Sequence, residues 1–108
     1  MIQKKTQPEE VTRVPMPKRV KNEMFAIVER VVGGSRMNVI CGDGQTRLAR
    51  IPGGRKRRMG RIRQNDLLII CPWDIQDEKA DVIYHYRMNQ ARFLSRTKKI
   101  PVQLDIFS

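Results

Sequence analysis

The sequence predicts a small all-β protein, five short strands closing into a barrel, with a flexible basic arm in front and a short helix behind. Three observations carry this. Apolar and β-branched runs at 24–32, 37–41, 46–51, 67–71 and 82–86 have strand rather than helix lengths. Turn-forming residues separate them: Gly33-Gly34-Ser35, Gly42-Asp43-Gly44, Pro52-Gly53-Gly54 and Asn65-Asp66. No internal repeat and no strand–helix–strand rhythm interrupts the series. A chain of 108 residues has room for one domain and one modest core.

Residues 1–21 carry Pro8, Pro15 and Pro17 among Lys4, Lys5, Arg13, Lys18, Arg19 and Lys21, and show neither helical nor strand periodicity, which reads as a flexible basic arm. The barrel is expected over 22–87. Met24 to Val28 with Val31 and Val32 form its first strand, stopped by Gly33-Gly34. Met37, Val39 and Cys41 then alternate with Arg36, Asn38 and Ile40, and Gly42-Asp43-Gly44 turns the chain into Thr46–Ile51, so the second and third strands make a hairpin. Arg55 to Arg63 is charged on every side and lies on the surface. Asn65-Asp66 launches Leu67–Cys71, which Pro72 closes because it has no amide proton to donate. The loop 74–80 leads into Val82–Tyr86, where β-branched and aromatic residues cluster. Over 88–98, Ala91, Phe93 and Leu94 among Arg92, Arg96 and Lys98 fit a short helix docked by one apolar side. Residues 99–108 form a tail. An oligonucleotide-binding barrel leads the candidate folds, although a five-stranded sandwich or a Src-homology-type barrel has nearly the same strand count.

Twenty-two Lys and Arg against eleven Asp and Glu give a formal charge of +11. That excess points to a polyanionic partner. Nucleic acid outranks membrane, because the chain offers neither a basic amphipathic helix nor an apolar run of spanning length. The start, Met1-Ile2-Gln3-Lys4-Lys5, lacks the apolar part of a secretory signal, so a cytoplasmic location is expected. The densest feature is 47–63, which holds Arg47, Arg50, Arg55, Lys56, Arg57, Arg58, Arg61 and Arg63 and no acidic residue. Gly53 and Gly54 allow close backbone approach there. Arginine grips phosphate bidentately or stacks on a base, both modes of RNA recognition, so these residues are the expected RNA contacts. Arg47 and Arg50 fall on opposite faces of a strand by period-two alternation, and Arg36 joins the patch if the Gly-Gly-Ser turn folds toward the third strand. Trp73 reads as core rather than as a stacking platform.

Catalysis finds little support. His85 lies within a strand, without a nucleophile paired to it. Asp74, Asp77, Glu78 and Asp81 do not follow the spacing of a calcium loop, and they read as a solvated turn. Cys41 and Cys71 lack companions at metal-ligand spacing and read as reduced, buried thiols. No metal, cofactor or enzymatic activity is expected.

Gly33-Gly34-Ser35-Arg36-Met37, Asp43-Gly44 with Arg47-Leu48-Ala49-Arg50-Ile51-Pro52-Gly53, Ile62-Arg63 with Asp66, and Pro72-Trp73-Asp74 together resemble translation initiation factor 1A of the archaeal and eukaryotic type. Asp77-Glu78-Lys79-Ala80-Asp81 with Ile83, Tyr84, Tyr86 and Gln90 extends the likeness, which covers about residues 12 to 96. The resemblance implies an oligonucleotide-binding (OB, S1-like) barrel that sits, as a monomer, in the aminoacyl-site region of the small ribosomal subunit and contacts ribosomal RNA. It further implies partnership with initiator tRNA, messenger RNA and other initiation factors, including the GTPase that joins the subunits. Two departures stand out. Arg61 occupies the place of the family's usual Trp, and Asn65 that of a usual Gly. The tail, with Leu104, Ile106 and Phe107, is loosely similar to the GTPase-docking end of eukaryotic members, and Gln103-Leu104-Asp105-Ile106-Phe107 also resembles a sliding-clamp peptide. A tail folded back onto the barrel is the competing reading. For the whole chain the competing function is a general single-stranded RNA binder or chaperone of cold-shock type.

Overall fold

The computed structural model describes residues 14–55 and 59–107. All five expected strands form: β1 (Met24–Gly33), β2 (Arg36–Cys41), β3 (Thr46–Arg50), β4 (Leu67–Pro72) and β5 (Lys79–His85), followed by one helix, α1 (Met88–Arg96). They close into a barrel in the order β1-β2-β3-β5-β4, the architecture of the oligonucleotide-binding fold. Among the described residues only the β3–β5 pairing, Leu48 to Lys79 through Arg50 to Asp81, is parallel. β1 pairs with both β2 and β4, setting Ala26 against Cys41 on one side and Leu68 on the other. Register shifts after Val28 and after Val31 let this long strand curl between two partners.

Two cores explain the apolar sequence. Inside the barrel, Ala26, Val28, Met37, Val39, Cys41, Ala49, Leu68, Ile70, Ala80 and Val82 pack together, with Met59 and Ile62 beside them. On the outside of β1 and β4, Phe25, Ile27, Leu67 and Ile69 pack against Tyr86, Ala91, Leu94, Ile100 and Leu104. β4 is therefore apolar without alternation because it is covered on both faces. α1 begins where the Arg87 backbone N–H donates to Gln90 Oε1 at 2.8 Å, and the buried Gln90 amide in turn donates to the Tyr84 hydroxyl. Asn65 adopts φ +72°, so it takes the left-handed turn position that glycine ordinarily fills.

The start of β5 and the two ends of the chain differ most from expectation. β5 starts at Lys79 rather than Val82, since outward-facing Lys79 and Asp81 hide the alternation with inward-facing Ala80 and Val82. The arm was expected to run free to residue 21, but its described end does not: Val14 packs against the outer core and the Tyr86 hydroxyl donates to the Pro15 carbonyl. Residues 1–13 lie outside the described part. The tail also docks. Leu104 is buried in the outer core, Phe107 packs on it, and Ser95 donates its hydroxyl to Asp105.

Candidate nucleic-acid interface

The β2–β3 register brings Arg36 directly opposite Arg50, answering the question of the Gly-Gly-Ser turn: it folds toward the third strand, and the Ile51 N–H donates to the Ser35 carbonyl at 2.9 Å. Both arginines point outward. Like charges directly opposite on neighbouring strands repel, so the pair costs stability and favours an anion between or above it. Arg50 is opposite Asp81 on its other side, with Nε 3.3 Å from Asp81 Oδ1, and its guanidinium lies 5.0 Å from the centre of the Trp73 ring. Trp73 is half-buried rather than core, and donates its own Nε1–H to the same Asp81 oxygen at 3.0 Å. Lys79 Nζ sits 5.6 Å from that ring.

Next to the β1–β2 turn a groove runs between Val31, Gly33, Met37, Ile51 and Ile62, with exposed Arg61 at its edge. A second cleft shares Arg61 and continues past Arg63, Leu67 and Tyr86 to Arg87 and Met88 at the start of α1. Apolar floors beneath an arginine rim suit a polyanion carrying flat, uncharged groups. The 59–66 segment is held to the barrel by His85: Nδ1 donates to the Met59 carbonyl at 2.7 Å, Nε2 lies 2.8 Å from Asp66 Oδ2, and that oxygen also accepts the Arg63 backbone N–H. His85 thus anchors the loop from the end of its strand. Arg55 is exposed in the turn after β3. Among the described residues Arg36, Arg55, Arg61, Arg63 and Arg87 make no ion pair. Lys56, Arg57 and Arg58 lie outside the described part.

Arg47, expected among the RNA-contacting arginines, does not face solvent. Its side chain is 2% exposed, with Nη2 2.8 Å from Asp43 and 3.1 Å from Asp77, and Nε donating to the Asp77 carbonyl at 2.7 Å. Period-two alternation turns it toward the barrel end with Ala49, opposite to Arg50, and there it ties the β2–β3 turn to the β4–β5 loop. Its charge is spent inside the protein. The hydrogen bond from Arg47 draws the Asp43 carboxyl below its ordinary range, against the effect of burial. Replacing Arg47 with Met is expected to cost about 2 kcal/mol of stability at neutral pH, the loss of charge-assisted hydrogen bonds whose acceptors water can partly reclaim. A depressed carboxyl stabilises above its unfolded value and loses that contribution as pH falls through the folded one. The gap between wild type and Arg47→Met should therefore narrow below pH 3.8, as urea denaturation at both pH values checks.

Sequence reasoning missed Trp73, Lys79, Asp81 and Arg87, and took Asp77 and Asp81 for a solvated turn when both meet arginines. The available signal was the strand register, which composition does not give. Of the tail residues singled out for docking, Leu104 is inaccessible, Phe107 is half-buried and Ile106 is 54% exposed. Among the described residues no group of acidic, His or Cys side chains is arranged to hold a metal, and no helix is long and apolar enough to cross a membrane. Both cysteines are free.

The chain matches the family model described as Translation initiation factor 1A / IF-1 over residues 11–107, a span that takes in the docked tail. It is 52% identical over 99 residues to translation initiation factor 1A of Thermoplasma acidophilum, covering 92% of this chain and 82% of that protein. The corresponding protein of Picrophilus torridus is 47% identical over 100 residues, covering 93% and 92%, and that of Methanococcus aeolicus 41% over 97 residues, covering 89% and 91%.

Proposed function

This chain belongs to the translation initiation factor 1A family, and from that premise we propose that it serves initiation by binding the small ribosomal subunit near the aminoacyl site, through ribosomal RNA and without catalysis. The observation that carries the RNA-contacting surface is the in-register pair Arg36 and Arg50, to which exposed Arg61 and Arg63 add cations at the rims of two clefts. Exposed Arg55 adds a further cation, and in sequence it is followed by Lys56, Arg57 and Arg58. Strands and a pinned loop fix the backbone from which these guanidinium groups extend, and the charge of +11 attracts the subunit from a distance. A barrel seated in the aminoacyl site keeps elongator tRNA out by occupying its volume, and so favours arrival of initiator tRNA and messenger RNA. The protein works in the cytoplasm as a monomer.

The reading is tested by measuring binding to isolated small subunits and to an unrelated single-stranded RNA over a range of salt concentrations. Preference for the subunit that persists as salt rises is expected. Equal affinity for both targets, falling steeply and in parallel with salt, would instead identify a general RNA binder.

We also assign contact with the subunit-joining GTPase to the tail, with Ile106 as its accessible anchor. Ile106→Asp is expected to weaken GTPase binding about tenfold while leaving the melting temperature unchanged, because its side chain is not part of the outer core. Unchanged affinity in a pull-down with the purified GTPase would remove the tail from that interface.

A further inference from the structure

We propose that Trp73 and Asp81 are positioning residues that fix the Arg50 guanidinium for an RNA phosphate, with Arg36 as the second jaw of the clamp. The proposal rests on the RNA-binding reading and deepens it at one position. A surface arginine ordinarily samples many rotamers, and ordering it on binding costs free energy. Arg50 is constrained from two sides. Asp81 accepts from Nε, the inner edge of the fork, and the Trp73 ring lies against the guanidinium at cation–π distance. Asp81 is itself oriented by the indole N–H, which donates to the same oxygen. The Trp73 backbone is pinned as well, its N–H donating to the Lys79 carbonyl at 2.9 Å.

What remains free is the outer edge of the fork. With Nε engaged, the two terminal nitrogens are the groups left to bind an anion, and Arg50 is still 55% exposed at its side chain. Two N–H groups side by side match two oxygens of one phosphate, a geometry that an ammonium cannot reproduce. Arg36, directly opposite on β2, and Lys79, against the same indole, raise the positive potential there. Asp81 offsets part of it, but the parallel β3–β5 pairing puts its carboxylate on the far side of Arg50 from Arg36, leaving the Arg36 side open to an anion.

Charge alone and positioning predict opposite results for Asp81. Removing an acid from an RNA-binding surface should tighten binding if it acts only through its charge. If it holds Arg50, Asp81→Ala should weaken binding to isolated small subunits about tenfold, the loss of one oriented charged contact. Asp81→Asn, which keeps the acceptor oxygen and drops the charge, should restore wild-type affinity. Arg50→Lys, which keeps the charge and loses the fork, should be as weak as Arg50→Ala. Thermal melting of each variant separates a local change from a folding defect, and the Asn and Lys variants keep the test decisive if the Ala variant is unstable. Asp81→Ala binding as tightly as wild type or tighter, or Arg50→Lys binding at full strength, overturns the positioning role while leaving subunit binding itself intact. Absence of subunit binding by the wild type overturns both.

Discussion

Reversing Arg61 and Arg63 together to Glu is expected to weaken binding to small subunits by about 100-fold or more at moderate salt, estimated as two lost charge-assisted contacts of roughly 1.4 kcal/mol each. The slope of log affinity against log salt should fall by about one per contact removed. Little of this can come through the fold. Both side chains are exposed and make no ion pair among the described residues. The contact that pins this loop uses the Arg63 backbone N–H and the His85 ring, which the substitutions leave in place. A melting temperature within a few degrees of wild type, together with the affinity loss, is the expected pair of results. If affinity for the subunit persists, Arg61 and Arg63 are not part of the RNA surface, which is then confined to the Arg36 and Arg50 side.

Arg61 is also the most telling departure from the family pattern. It edges a groove whose floor is Val31, Met37, Ile51 and Ile62, where an aromatic ring would lie naturally against apolar neighbours. A guanidinium is flat too, and is weakly hydrated on its faces, so it can rest on the same floor while turning donors outward.

The strands were legible because their signals are local. Glycine and proline punctuate the chain at the turns, and β4 announces itself by being apolar at every position. The barrel's closure was less visible. Ala80 is too small to mark a strand and its neighbours Lys79 and Asp81 are polar, so the parallel β3–β5 seam leaves almost no trace in sequence. The same limit governed the site. Composition located the basic segment, and alternation separated Arg47 from Arg50 correctly. Neither tells which of two strand faces meets an acid. Asp43 and Asp77 lie four and thirty residues from Arg47, and only the folded turn and loop bring them onto it. An arginine counted toward RNA binding became instead a tie between two loops. Arg36, expected in the patch only on condition that its turn folds toward the third strand, is set opposite Arg50 by the register.

The tail offers the sharpest disagreement between a reading by resemblance and a reading by packing, and Leu104→Ala measures it. A docking anchor on a free tail contributes nothing to the folded state, so its truncation would leave stability unchanged. Here Leu104 is 2% exposed and packs with Phe25, Ile27, Leu67, Ile69, Tyr86 and Leu94 in the outer core. Its removal leaves a cavity between barrel and helix that rigid strands on one side cannot collapse to fill. The expected cost is about 3 kcal/mol, within the range for fully buried leucines, and it should lower the melting temperature by on the order of 15 °C. The hydrogen bond from Ser95 to Asp105, and that from the Gln103 amide to the Gly42 carbonyl, hold the same strap from either end. They cannot replace the apolar contact, since each spans groups that water can also satisfy. A melting curve indistinguishable from wild type would mean that the strap is released in solution and that Leu104 is free to join Ile106 in binding a partner. A large loss would instead assign Leu104 to the fold and leave Ile106 as the tail's accessible apolar contact.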